Sequence, residues 1–545
     1  GLGRLSQVTD AASGVTRFTY DTRDNLLAVT DANGNTTTYT YDQNNRRIKE
    51  TRPLGQATYY QYDESGNLTQ VTDAKGNRIK LTYDAAHRRT QETHTVAGGS
   101  SPNRTIAYTW NDAGQLTGYS DSNTSHADHL AHGASYSLDA LGRKTQETIT
   151  LGSQSLTLKT AYAATGKKVS QTWPDATQIS YAWDDAQRLT DLQIPGAGSL
   201  STNAFDAWNQ VESQLYPGGS TRSQDYDGFA RLSRIRLKSP SQIELMKRGY
   251  SYDPESNITG LTTEQGDAQY GYDALYRLTQ VSTAVSGLPQ EHYTYDPLGN
   301  RLTDTRRPNP NRADKAWRYD GNNQLEESAT EDTGLLVSNS QSVAHTYDEN
   351  GSLTQKATPA GSAGQYPTDN QKYQYDAANR LSEVQDQDGH LIASYQYDPL
   401  GRRIRKTLYR AWDGSAWAAL GQKETHTYVY GDEGLMAEYQ TEGSNPPQLT
   451  REYGWKPDGL WGTNPVWIKT TKQGGTQMEL FYYQNDHLRA PQKVIDAQGQ
   501  VVWSQKATAF GETQVDPSST ITNPLRFPGQ YYDKETNTHY NYFRD

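Results

Sequence analysis

Apolar and aromatic residues in this chain alternate with polar ones over short runs or stand singly. No stretch carries the three-to-four-residue spacing of a helical face. Gly and Pro, 46 and 22 in number, interrupt the runs every few residues. The pattern predicts short β-strands joined by tight turns, and it repeats. Tyr20-Asp21, Tyr41-Asp42, Tyr62-Asp63 and Tyr83-Asp84 follow one another at 21-residue spacing. The register continues, sometimes degenerate, through positions 110, 138, 162, 183 and 205 to Tyr226-Asp227, Tyr252-Asp253, Tyr272-Asp273 and Tyr295-Asp296. After positions 319 and 347 come Tyr375-Asp376 and Tyr397-Asp398, and the last unit is at position 430, for eighteen units at a mean period of about 24 residues.

Each unit reads aromatic-x-Tyr-Asp-x-x-Gly-(Arg/Asn)-Leu, as in Tyr60 to Leu68. The aromatics at i and i+2, such as Tyr39 with Tyr41, Tyr293 with Tyr295 and Tyr395 with Tyr397, project from one face of a strand. The Asp opens a turn by accepting backbone N–H groups, Gly takes the residue needing positive φ, and Pro254, Pro297 and Pro399 follow the Asp as a type I turn prefers. A second turn, such as Asp31-Ala32-Asn33-Gly34, follows the next strand, so one unit is a β-hairpin and the array a β-meander. About 36 strands at about 4.8 Å make a ribbon on the order of 170 Å wide, enough to close a ring about 55 Å across, an incomplete wall. Open sheets rarely exceed about ten strands without curling. The expected fold is therefore all-β: a long antiparallel hairpin array coiling into a hollow spiral shell.

Composition refines this picture. The 545 residues hold 52 Lys plus Arg against 63 Asp plus Glu, a net charge of −11 without the basic footprint of a nucleic-acid binder. With no Cys, disulfides, thiolate metal sites and Cys nucleophiles are excluded. No run of about 18 apolar residues is present, and Gly1 to Asp10 lacks the basic and apolar regions of a signal peptide. A hydrophobic content of 33 % leans toward disorder, yet aromatics reach 10 %, with 39 Tyr against 7 Phe. That ratio fits a wet β-structure whose apolar contacts come from amphipathic Tyr rings.

These repeats resemble the Rhs/YD-repeat family, which includes bacterial Rhs polymorphic toxins, the C component of insecticidal Tc toxins, wall-associated YD proteins and teneurins. The tail carries the more specific likeness. Tyr482 to Leu488 with Asp486-His487, Ala509 to Glu512, Leu525 to Asp533 with Arg526, Gly529, Tyr532 and Asp533, and His539 to Arg544 are similar to the Rhs core-associated region. The chain departs from that pattern at Arg489 and Asn537, where the family usually has Gly. The resemblance implies a shell holding a C-terminal toxin domain, with delivery or chaperone proteins engaged through an N-terminal part, in a protein secreted or delivered from a bacterial cell and cytoplasmic before export. It also implies self-cleavage by an aspartyl autoprotease at an Asp-Pro motif shortly after the Tyr-Asn-x-x-Arg segment, a motif expected beyond Asp545. Asp516-Pro517 lies upstream and does not match it. Both ends read as cut within the family pattern, Gly3-Arg4-Leu5 being the second half of a repeat.

The division expected is a repeat array over 1–410, a Trp-rich irregular insertion over 411–475 and the core-associated region over 476–545. Residues 94–104, 121–135, 304–316 and 357–370 read as polar loops. The insertion holds Trp412, Trp417, Trp455, Trp461 and Trp467, to be read as a plug or docking surface or, more plainly, as local packing. The basic stretch Arg402-Arg403-Ile404-Arg405-Lys406 reads as strand residues facing water, Asp486-His487 as a turn, and His539 as structural. No catalytic or metal-ligating constellation stands out, no cofactor is implied, and one Asp per hairpin is a turn former rather than a calcium ligand. The function expected is a toxin-encapsulating shell without enzymatic turnover of its own. The alternative is a YD-repeat adhesion or carbohydrate-binding protein.

Overall fold

The computed structural model describes residues 3–305, 315–332, 335–336, 342–358 and 369–542. Among them are 46 β-strands and no α-helix. From Gln7–Thr9 to Thr513–Val515 the strands form one antiparallel meander in which each pairs with the next in sequence; the short strand Leu335–Leu336 is a side branch. A separate hairpin, Tyr531–Asp533 with Thr538–Tyr540, follows.

One turn geometry recurs along the ribbon. At Asp63 the N–H of Gly66 donates to the Asp63 carbonyl, the Asp63 N–H donates to the Asn67 carbonyl, and Oδ1 accepts the Asn67 N–H at 2.8 Å. This is a three-residue loop with a type I turn and a left-handed fourth residue. Gly66 has φ +91°, but Asn45, His87, Ala230 and Tyr276 occupy the same position at φ 59–61°. The units at Asn111, Asp139 and Ala163, degenerate in sequence, keep the backbone pattern. After most turns the ladder shifts by one residue, as between Thr40 and Tyr41, so each Tyr-Asp unit carries a bulge.

The ribbon winds upon itself. Asn33 donates to the Asp296 carboxylate (2.9 Å), Lys75 pairs with Asp348 (2.9 Å), Lys168 with Asp432 (3.0 Å), and Arg222 donates to the Asn485 carbonyl (2.9 Å). Each contact joins a second-type turn, or the strand beside it, to a Tyr-Asp edge some 265 residues later. One winding thus takes about 23 strands, roughly 35–45 Å across once strand tilt is allowed for. The ribbon makes nearly two windings. The incomplete ring about 55 Å across is corrected accordingly: the ribbon coils more tightly and seals along a seam of side chains. The loop after strand Leu116–Asn123 is part of that seam. His129 meets the Tyr395 carbonyl (3.0 Å), the Leu130 N–H donates to Gln396 (3.1 Å), and His126 faces Glu383 at 3.8 Å.

The accessible surface is 26021 Å². A compact monomer of this mass exposes about 19,600 Å², about a quarter less wet area than this wall provides with its two faces. Residues 3–76 have no fully buried side chain, burial begins in earnest near Ile106 and Trp173, and parts of the strands between 391 and 503 carry consecutive buried residues on both faces. Their core includes Tyr395, Tyr453, Trp467, Phe481 and Trp503.

Two expectations are corrected here. Residues 411–475 are not irregular: Arg403–Trp412, Trp417–Tyr430, Leu435–Glu442, Gln448–Trp455 and Pro465–Thr471 continue the meander. The period breaks because these strands are long, up to 14 residues, with Trp412 and Trp417 packed edge-on at a hairpin tip. Of the four polar loops, 304–316 and 357–370 lie mostly outside the described residues.

Candidate functional site

The twenty repeat residues singled out by the sequence are placed as wall fasteners. The carboxylates of Asp21, Asp42, Asp63, Asp84, Asp227, Asp253, Asp273, Asp296, Asp376 and Asp398 each accept the N–H of the residue four positions on. Hydrogen bonds from that same residue hold Asp21, Asp42, Asp63 and Asp84 below the ordinary carboxylate value. The Tyr rings reach backward. Tyr41 donates to the Leu26 carbonyl (2.9 Å), Tyr62 to Arg47 (2.9 Å), Tyr83 to Leu68 (2.8 Å), Tyr226 to Val211 (3.0 Å), Tyr252 to Leu232 (2.6 Å), Tyr272 to Ile258 (2.8 Å) and Tyr295 to Leu278 (2.5 Å). Each acceptor lies just after the preceding Tyr-Asp turn, beside its bulge. Tyr20 lies under the Arg4 guanidinium and Tyr397 under that of Arg380. Tyr375 ends strand Gln371–Tyr375 opposite Leu381. Where Trp183 replaces Tyr, its indole N–H makes the same bond to Lys168 (2.8 Å). The residue after the turn adds a forward fastener: Arg46 binds Asp42 (2.7 Å), donates to the Asp63 carbonyl (2.9 Å) and lies over Tyr62 at 4.8 Å.

The densest chemistry lies where the C-terminal hairpin crosses the sheet. A bulge at Tyr397 lets both Arg403 and Lys406 share a face with Tyr395. Arg403 forms a two-pronged pair with Asp533, one prong at 3.0 Å. Lys406 binds Asp533 (3.0 Å) and Glu535 (3.0 Å), and Tyr395 donates to Glu535 (3.0 Å). The Arg403 guanidinium is also ringed by Tyr395, Tyr428, Tyr531 and Tyr540 at 4.3–5.6 Å. Alongside, Glu438 accepts from Arg451 (2.8 Å), Tyr453 (2.5 Å) and Tyr531 (3.1 Å). Burial pushes the Asp533 carboxyl up, but Arg403 and Lys406 overcome it and hold the group below its ordinary value. Burial likewise opposes the charge on Lys406, and Asp533 and Glu535 keep it raised. Arg403, Lys406 and Arg451 face Asp533, Glu535 and Glu438, so the cluster is charge-balanced. Such an arrangement clamps two pieces of chain together, each carboxylate being already engaged by a cation.

The basic stretch is therefore corrected. Arg403 and Lys406 are buried because the bulge turns residues three apart onto one face and the tail covers that face, and Arg402 is buried in its turn on Asp398 (2.6 Å), facing Glu147 of the first winding at 3.9 Å. Sequence reading also missed Glu535, which sits in the turn of the C-terminal hairpin two residues after Asp533 and has no local signal for the cation it meets.

The other tail residues are spread around this clamp. Arg526 donates to the Asn523 carbonyl (2.7 Å) and lies over Tyr532 at 5.2 Å. Gly529, at φ +78°, donates its N–H to Gly462 at 2.8 Å, and a Cβ there would meet Asn541 at 2.7 Å. Tyr532 bonds Asn537, which itself takes φ +53° where the family has Gly. His539 packs beside Tyr532. Asp486 and His487 sit apart, at a seam turn. Asp486 accepts from Leu488 (2.9 Å) and Ala490 (3.0 Å), and His487 faces the Tyr250 hydroxyl at 3.2 Å. Burial pushes Asp486 up, with His487 opposing. Arg544 lies outside the described residues.

Comparison with known proteins decides the family. A teneurin YD-shell model matches residues 205–411, the RHS repeat model matches 1–36, 20–57 and 62–101, and an RHS protein model matches 480–515. The chain belongs to the Rhs/YD-repeat family. This YD-repeat chain is 26 % identical over 394 residues to double-stranded DNA deaminase toxin A of Burkholderia cenocepacia, covering 67 % of this chain and 26 % of that protein. It is 25 % identical over 354 residues to toxin protein Tse5 of Pseudomonas aeruginosa, covering 59 % and 26 %. It is 24 % identical over 367 residues to the probable deoxyribonuclease RhsA of Dickeya dadantii, covering 65 % and 22 %. It thus spans about a quarter of the length of these relatives. Its fold is that of the TcdB2-TccC3 structures. One such structure, with Cdc42, aligns at a TM-score of 0.76 and 15 % identity over 97 % of this chain and 28 % of the other. The Photorhabdus luminescens Tc holotoxin pore aligns at 0.71 and 17 %, over 99 % and 28 %.

Proposed function

We propose that this chain forms the wall of a toxin-holding shell, with residues 1–475 as wall and 476–545 as the closing region. The observation that carries this is the doubly wound sheet whose repeat aromatics are spent inside the wall. Tyr41, Tyr83, Tyr226 and Tyr272 have their hydroxyls on neighbouring carbonyls rather than open in a groove. An adhesion surface needs aromatic faces free for a ligand, and this one is not favoured. The chain's role on this reading is mechanical, and effector chemistry belongs to a separate C-terminal domain, as the names of its deaminase and deoxyribonuclease relatives support. The charge of −11 suits confinement of a basic, nucleic-acid-acting cargo. Delivery from the producing cell and release by self-cleavage after the Tyr-Asn-x-x-Arg segment belong to the same reading.

Expression of the complete gene, followed by denaturing electrophoresis and native chromatography, tests it. The expected result is a core band and a smaller effector band that co-elute, and that merge into one band when the cleavage-motif Asp is changed to Asn. An effector that elutes apart from the core overturns the shell. An uncut chain that shields its effector from protease leaves the shell standing and removes self-cleavage.

A further inference from the structure

A cavity of about 640 Å³ opens at the seam between the first winding, near Lys167 to Leu232, and the second, near Lys456 to Arg489. Its wall carries five cations, Lys167, Arg188, Arg222, Lys456 and Arg489, against two carboxylates, Asp458 and Asp486, in a protein whose net charge is −11. Both carboxylates are engaged. Asp458 pairs with Lys167 at 2.8 Å, and Asp486 is held by the N–H groups of Leu488 and Ala490 and by Gln492 at 2.9 Å. Of the cations, Arg188 is fixed on Asp184 (2.7 Å) and over Phe205 (4.4 Å), and Arg222 on the Asn485 carbonyl (2.9 Å). Lys456 and Arg489 make no side-chain hydrogen bond or ion pair among the described residues, and both are open to solvent. Desolvation against the wall, then the nearby Arg489 and Lys167, hold the Lys456 ammonium below its ordinary value, with Asp458 opposing.

Arg489 is the telling residue. Its φ is +66°, in the left-handed region that glycine occupies without strain. Gly66, Gly299 and Gly401 fill the corresponding place in some turns, and Asn45, His87, Ala230 and Tyr276 in others. A bulky side chain at this place costs stability and here brings a fixed positive charge to a cavity that already holds an unneutralised lysine.

We propose that this cavity is a binding site for a small phosphate-bearing anion, with its head between Lys456 and Arg489 and any uncharged body against Phe205 and Tyr226. Arg offers a planar fork and Lys a point charge, a pairing suited to a multiply charged phosphate. The volume is that of a small-molecule site and exceeds what pyrophosphate alone fills. The proposal is independent of what the shell holds.

Thermal denaturation and titration calorimetry of the chain test it, with pyrophosphate, ADP and adenosine as probes at low ionic strength. Both phosphates should raise the melting temperature, and adenosine should leave it unchanged. ADP binding more tightly than pyrophosphate would identify a nucleotide as the source, and equal affinity the diphosphate group alone. Arg489→Gly should weaken phosphate binding at least tenfold while the unliganded protein melts at or above the wild-type temperature, because glycine relieves the backbone; loss of binding is then not loss of folding. Lys456→Ala should weaken binding similarly. Absence of any phosphate effect on the wild type, or an undiminished effect in Arg489→Gly, overturns the proposal.

Discussion

A tyrosine and a phenylalanine fill nearly the same volume in this wall, but only the tyrosine can donate to the carbonyl beside the preceding bulge. That bond explains why 39 Tyr accompany 7 Phe. It also explains why Trp183, which keeps a donor, is a fitting substitute. Tyr272→Phe should therefore cost about 1 kcal/mol in denaturant unfolding, since it removes the bond to Ile258 and little else. At the turn, Asp63→Ala should speed hydrogen exchange at the amides of Gly66 and Asn67 while distant amides are unchanged. Equal exchange in both proteins would remove Asp63 from that role. The Asp at each turn was legible because turn chemistry is local. The tyrosine bond was not, because its acceptor lies in the preceding hairpin and depends on a bulge that no residue spells out.

At the scale of elements, the hairpin Tyr531–Asp533 with Thr538–Tyr540 is held by a balanced buried cluster. Removing one partner of such a cluster leaves an opposite charge stranded. Asp533→Ala should accordingly cost about 3–5 kcal/mol and make the segment after Val515 the first to be cut by protease. The histidine strap of the seam gives a pH expectation. Burial, its largest cause, holds His129 and His132 down to about 4 from an ordinary value of 6.5. His126 and Arg104 reinforce the shift at His129, with Tyr395 and Asp376 opposing it. Arg104 and Arg380 do so at His132, with Asp121 and Asp398 opposing. The unfolded chain then binds more protons than the folded one between about pH 6.5 and 4, so the stability these groups confer is present above 6.5 and lost as pH falls through that window. Melting temperatures measured from pH 7.5 to 4 should drop less steeply in a His129→Gln, His132→Gln double variant. Glu452, raised by burial to about 7 beside Lys469 and Asp175, acts in the opposite sense between 4.5 and 7. The strands themselves were legible from alternation and turn spacing. The burial of Arg403 and Lys406 was not, because it requires a segment more than a hundred residues away to cover one face of their strand.

For the whole molecule, the period and the turn residues indicated a coiled all-β ribbon, and the twist needed to curl it follows from strand count alone. What the sequence left open was the pitch. That is set by side chains such as Lys75 and Asp348, which meet only after a full winding and leave no periodic mark. Small-angle scattering should report a pair-distance distribution with the depleted centre of a wall. A curve fitted by a solid ellipsoid of the same mass would argue against the fold.

The strictly neighbour-to-neighbour pairing also sets a clock. Each strand finds its partner within a few residues, so the ribbon can zip up locally as the chain leaves the ribosome. The seam cannot: a contact such as Asn33 with Asp296 must wait for 263 further residues. At roughly 5–20 residues per second that delay is on the order of 10–50 seconds. For that interval the first winding stands as an open trough, and the clamp at Asp533 is among the last contacts to form. Assembly is therefore ordered by translation itself, wall first and closure last.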